Sequence, residues 1–191
     1  MHAVRRLRRV VLLGVLTVIV GLFAALAVAD PFHLRHARWF TAALVLLGIL
    51  LITAMLAVAV WRGILRVLVL IVGAVAALGW CALIGVATQV TAPSTEVSQV
   101  ADGGRRLVVL EGAAAAIDPI FAVVVRNGTG PFEQETLVYQ GVEAAPAPSV
   151  RFVDGNTVEV RLPGGCLYRS EVEAMTLAVD PVHRPLRADG C

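Results

Sequence analysis

Three long stretches without one charged residue constrain this chain before anything else. Val10 to Ala29 runs twenty residues, Trp39 to Trp61 twenty-three and Val67 to Val90 twenty-four. At about 1.5 Å of rise per helical residue, each covers roughly 30–36 Å, enough for a hydrocarbon core of about 30 Å. One helix from Trp39 to Val90 would be roughly 78 Å long. The chain must reverse within it, and Arg62-Gly63 followed by Arg66 is where breaker and charge coincide. The sequence predicts a basic segment over 1–9, transmembrane helices over 10–29, 39–61 and 67–90, a connection over 30–38 and a hairpin over 62–66.

Composition then splits the chain in two. Its mean hydropathy is +0.82, with 58% hydrophobic and 16% charged residues. Residues 1–88 hold eight Arg and one acid, Asp30, for a charge of +7. Residues 89–191 hold eight Arg and thirteen acids, for −5, and there is no Lys anywhere. The first half reads as membrane and the second as a small water-soluble domain. This pattern excludes a disordered chain, a uniformly basic nucleic-acid binder and a large multidomain enzyme. The partners expected are membrane lipids and another envelope membrane protein, with no nucleic acid.

Arginine placement gives a direction. Arg5, Arg6, Arg8 and Arg9 precede the first span, and Arg62 and Arg66 flank the hairpin. The 30–38 connection carries only Arg35 and Arg38, beside Asp30. Cytoplasmic segments collect Arg and Lys, so the N-terminus is expected inside, with Arg5, Arg6, Arg8 and Arg9 as its anchor, and residues 91–191 outside. The first span also fits a cleavable signal peptide, with small residues at Ala25, Ala27 and Ala29. Its length and the following Asp30-Pro31 favour retention as a helix.

The spans hold no Asp, Glu, Lys, Arg or His. Ion and proton pathways place ionisable groups at membrane depth, so a pump or ion-coupled transporter is not indicated. Of their polar residues, Thr17, Thr53 and Cys81 stand away from the span ends and can bond helical carbonyls. In the third span Gly73, Ala77, Cys81 and Gly85 recur every four residues. Such a stripe lets helices approach closely in lipid, and it is read as a packing face.

From about Ala92 short β-type runs alternate with turn signals. Pro93 and the Ser, Thr and Glu after it read as an exit linker. Strands are expected over Arg106–Leu110, Ile120–Val125, Thr136–Tyr139, Val150–Val153, Thr157–Leu162 and Val172–Val179, with a loop over Glu143–Ser149. Asp154-Gly155-Asn156 is a hairpin signal, and Asp102-Gly103-Gly104 is a turn. The Ala113–Ala116 run is either loop or helical turn. The fold class expected is a three-helix membrane anchor plus a small, mainly-β antiparallel extracytoplasmic domain, as a sheet, sandwich or partial barrel. Cys166 and Cys191 both lie in that domain, where an oxidising compartment would preserve a bridge between them. Free thiols or a bridge to another chain are the rival readings.

Chemistry is sparse. The β half has one histidine, His183, which with Ser170 and Asp180 or Asp118 could be drawn as a nucleophile, base and orienter. No nucleophile elbow surrounds Ser170. Glu133/Glu135 and Glu171/Glu173 sit two apart and read as solvated faces. His33 and His36 lack a third ligand and sit beside Arg35 and Arg38, so they read as lipid-headgroup contacts. The −5 domain could also attract that loop electrostatically. Neither a P-loop nor a dinucleotide fingerprint is present, and no catalytic residue, metal or cofactor is expected.

Ile117-Asp118-Pro119-Ile120-Phe121 leading to Val125-Arg126, with Val150-Arg151-Phe152 later, resembles β-rich exported segments of small membrane proteins of high-GC actinobacteria. The resemblance covers about residues 100–165. It implies an envelope membrane protein and carries over no activity. The function expected is a non-enzymatic envelope accessory or interaction module displaying a disulfide-tied β domain; the alternative is a membrane-anchored hydrolase.

Overall fold

A computed structural model describes residues 2–90, 94–112, 120–142 and 147–185. The chain divides into two compact units. One holds Met1–Asp30 and Ala37–Val90; the other holds Thr91–Cys191 together with Pro31–His36.

The helical unit consists of α1 (His2–Ala29), α2 (Ala37–Ala59) and α3 (Gly63–Val90). All three are long and apolar enough to cross a membrane. α1 begins at His2, so Arg5, Arg6, Arg8 and Arg9 sit on its first turns rather than ahead of it. Arg6 explains how α2 ends. Its Nε donates to the Val58 carbonyl at 2.6 Å and its Nη2 to Val60 at 2.8 Å. Carbonyls at a helix C-terminus lack intrahelical partners and carry partial negative charge, and a guanidinium supplies both needs. The same group lies 5.1 Å from the centre of the Trp61 ring. Within the helices, Thr17 donates to Leu13 and Thr53 to Ile49.

α3 turns a different face to α2 than strict four-residue spacing suggests. A side chain on Gly73 would overlap the side chain of Thr53, so backbone and neighbour meet closely there. Ala77 is half-buried, while Cys81 is exposed and Gly85 faces open space. Each step of four residues overshoots a full turn by roughly 40°. By Cys81 the ladder has rotated away, and Trp80 and Ile84 replace it on the more covered side. Trp80 Nε1 donates to the Ala42 carbonyl at 3.0 Å. The contact face is therefore Val69, Gly73, Ala77, Trp80 and Ile84.

Among its described residues the β unit has eight strands in two antiparallel meanders. Sheet A orders β1 (Ser94–Asp102), β2 (Arg105–Gly112), β3 (Ile120–Asn127) and β4 (Gln134–Val142); sheet B orders β5 (Ser149–Phe152), β6 (Thr157–Arg161), β7 (Leu167–Val172) and β8 (Val179–Asp180). Buried side chains of both sheets form one core, with Leu107, Val109, Val123 and Val125 in the same cluster as Val158, Val160 and Val172. β2 and β3 read as continuous apolar runs because their other face is also covered: Val108, Leu110 and Val124 form a second cluster. Between Val123/Val124 and Tyr139/Leu137 the register slips, leaving Val138 as the extra residue. That bulge lets Val138 and its neighbour Tyr139 both enter the core, which strict alternation forbids.

Both expected turns form. Asp102 pairs with Arg105 across Gly103 and Gly104, whose φ values of 55° and 87° suit glycine in a two-residue hairpin. Asp154 Oδ1 accepts from the Asn156 and Thr157 amides at 2.9 and 2.6 Å, and these bonds hold its carboxyl below the usual range.

Two expectations are corrected. The stretch after Pro93 is not a linker; it is β1, a nine-residue edge strand exposed throughout, whose polar composition gives no buried face to detect. Val172 ends a strand rather than starting one. Residues 173–178 turn instead, with Thr176 bonded to the Glu173 side chain and the Glu173 amide to the Ala178 carbonyl at 2.8 Å. Ala113–Ala116 and most of the Glu143–Ser149 loop lie outside the described residues.

Candidate functional site

The loop Pro31–His36 is part of the β unit. It runs beside the start of β4: the Arg35 amide donates to the Glu133 carbonyl at 2.9 Å, and the Glu135 amide donates to the His33 carbonyl at 2.8 Å. Leu34 bridges Gln134 in antiparallel fashion, and Gln134 Nε2 donates to the Phe32 carbonyl at 3.0 Å. His33 Nδ1 lies 3.1 Å from the Thr176 carbonyl. The lipid-headgroup reading of His33 is therefore corrected. A six-residue loop from one end of the sequence supplies edge pairing to a sheet made near the other.

Arg35 then enters a chain of alternating charge. It contacts Glu133 at 2.6 Å and Glu135 at 3.6 Å. Arg106 on β2 holds the other Glu133 oxygen at 2.6 Å. Arg126 on β3 bonds Glu135 at 2.6 Å and also pairs with Glu96 on β1, so it ties both edge strands of sheet A. Three guanidiniums meet three carboxylates, and the cluster is neutral. Glu133 is not a solvated residue: its side chain is 7% exposed, and that of Arg126 6%. Burial opposes the charge on Arg126, but the hydrogen bonds it donates to Glu96 and Glu135 outweigh it and raise its pKa. The Arg126 bond holds the Glu96 carboxyl below the usual range. Charges at this depth persist because each is paired and hydrogen-bonded.

A second cluster lies on the outer face of sheet B and is unbalanced. Glu159, 2% exposed, accepts from Arg151 Nε at 2.7 Å and Arg169 Nε at 3.1 Å. Its register partners are these same two arginines, one on each flanking strand. Arg161, two residues along β6, comes within 4.0 Å. Burial works against the Glu159 charge, yet the arginines prevail and hold its carboxyl below the usual range. Their own side chains are 60–62% exposed, and a concavity of about 180 Å³ opens beside Arg151 and Arg161.

The groups drawn for nucleophilic chemistry have other partners. Ser170 is buried and donates to the Pro181 carbonyl at 2.8 Å. His183 Nε2 lies 3.0 Å from the Arg169 carbonyl, and its ring sits 4.8 Å from that of Tyr168. Asp118 lies outside the described residues. Cys166 is buried and is not a free thiol, whereas Cys81 is free. Cys191, and with it the expected bridge, lies outside the described residues. Among the described residues, no three His, Cys, Asp or Glu side chains gather as a metal site requires.

Sequence reasoning singled out Arg35 and Glu133 but not their meeting, and it did not pair Arg151 with Glu159. The second pair had a signal: a hairpin closed at Asp154-Gly155-Asn156 sets Arg151 opposite Glu159. Comparison with known families, with curated proteins and with solved structures finds no match.

Proposed function

We propose that this is a non-enzymatic envelope protein whose three helices anchor a β sandwich that engages another component outside the cytoplasm. The observation that carries this reading is the commitment of its reactive groups. Ser170 and His183 are hydrogen-bonded to separate backbone carbonyls rather than to each other, while Glu133, Glu135 and Glu159 are held by arginines. A nucleophile needs a base within about 3 Å and a general acid needs a proton to give; neither arrangement is present among these groups.

The proposal places the N-terminus inside, following Arg5, Arg6, Arg8, Arg9, Arg62 and Arg66. It joins Cys166 to Cys191 in an oxidising compartment, and it keeps the kinship with actinobacterial envelope proteins. A photo-crosslinking residue at Val100 on exposed β1 tests it in living cells. One discrete adduct, with Ser170 inert to a fluorophosphonate probe, is the expected result. Labelling of Ser170 with no adduct would establish the hydrolase reading instead.

A further inference from the structure

We propose that the outer face of sheet B binds a soluble phosphoryl group, with Arg151, Arg161 and Arg169 as donors and Glu159 as the anchor that holds them in place. This deepens the reading of the β domain as a binding module.

The argument starts from donors and acceptors. Three guanidiniums offer fifteen N–H groups, and a carboxylate accepts about four hydrogen bonds. Among the described residues only Glu159 forms an ion pair with them, so the cluster itself has a surplus of two positive charges, with Glu171 and Asp180 farther along the same sheet face. The neutral cluster on sheet A has no such surplus. Glu159 takes Nε of both Arg151 and Arg169, a placement that restrains these two guanidiniums, while Arg161 Nη2 stands 4.0 Å from it. Held side chains lose less rotamer entropy when a ligand arrives.

Geometry selects the ligand. The donors come from three adjacent strands, about 4.8 Å apart in a sheet; Arg151 and Arg161 line a concavity with Ser149 and Glu159, and Arg169 flanks Glu159 on the next strand. A planar carboxylate satisfies one guanidinium fork; a tetrahedral phosphoryl group presents oxygens in three directions and suits three. The domain as a whole carries −5 over residues 89–191. An acidic body with one basic spot is repelled from an extended anionic lipid surface and accepts a discrete anion, which favours a soluble ligand.

The test is calorimetric titration of the intact protein in nonionic detergent with sodium tripolyphosphate. Arg161→Gln is the informative variant, since Arg161 makes only a 4.0 Å contact and its loss leaves Glu159 bonded. Losing one charge-assisted contact is expected to weaken binding roughly tenfold, and Arg161→Lys less. Arg105→Gln, an equal charge change on sheet A, is expected to alter it less than twofold. Equal weakening by Arg105→Gln and Arg161→Gln would reduce the site to diffuse charge and overturn the proposal. So would absence of binding, or binding only to phosphatidylglycerol vesicles. These failures would leave the Val100 crosslink intact, so the two readings fall separately.

Discussion

The helical unit and the β domain solve the problem of polar groups in opposite ways. Across the three expected spans there is no Asp, Glu, Lys, Arg or His. Backbone polarity is satisfied within each helix, and the exceptional carbonyls at the end of α2 are met by Arg6. The β domain instead buries charge outright, at Glu133, Arg126 and Glu159. Helices held by close contact at Gly73 should respond to volume; a sandwich laced by ion pairs should respond to charge and pH. The contrast makes the two units separable by experiment.

The largest effect is expected from stripping Glu133 of both cations. Arg35→Ala with Arg106→Ala leaves a carboxylate buried and unpaired, which typically costs about 3–5 kcal/mol. Urea unfolding of the intact protein, followed by a near-ultraviolet signal, would measure it. Each single variant should cost clearly less than half, because the other guanidinium remains; strictly additive losses would break the account of a shared site.

Next comes Gly73→Leu, which drives side-chain atoms into Thr53. Overpacking of this kind costs about 1–3 kcal/mol. Gly85→Leu, into open space, is expected to be silent in detergent thermal stability. Equal effects at the two positions would contradict the face assigned to α3.

A smaller difference is expected on acidification, and it should arise in the β domain. Glu96 and Glu159 have pKa values below the ordinary 4.5. Their stabilisation is complete above that ordinary value and is lost as pH falls through the lowered ones. Thermal midpoints should therefore hold steady above about pH 5 and drop below 4.5. Glu159→Gln should flatten part of that drop, and a midpoint rising with acid would reverse the sign assigned here. Smallest of all, Arg161→Ala should change stability by less than about 0.5 kcal/mol, as an exposed and distant partner does. Its effect belongs to binding.

What the sequence displayed depended on how local each signal was. Helices announced themselves through length and absence of charge, and the hairpin at Asp154 through three consecutive residues. The four-residue spacing from Gly73 was visible, but only 3.6-residue geometry shows where it leaves the contact. β1 was invisible because an edge strand exposed throughout has no alternation to read. The meeting of Arg35 with Glu133 was hardest, since the partners stand 98 residues apart and the attraction between loop and domain named no partner in the domain. Arg151 and Glu159, eight apart, were within reach of the hairpin register.

The loop Pro31–His36 also sets an order of events in time. It leaves the ribosome well before the strand it pairs with, and at about 5–20 residues per second the gap lasts roughly 5–20 seconds. During that wait Leu34 has no strand beside it and Arg35 no carboxylate. The first-made piece of the β domain is thus among the last to take its place. Closing so long a loop of chain is slow in proportion to the search it demands. The pairing of Leu34 with Gln134 must therefore wait until about a hundred further residues have been made.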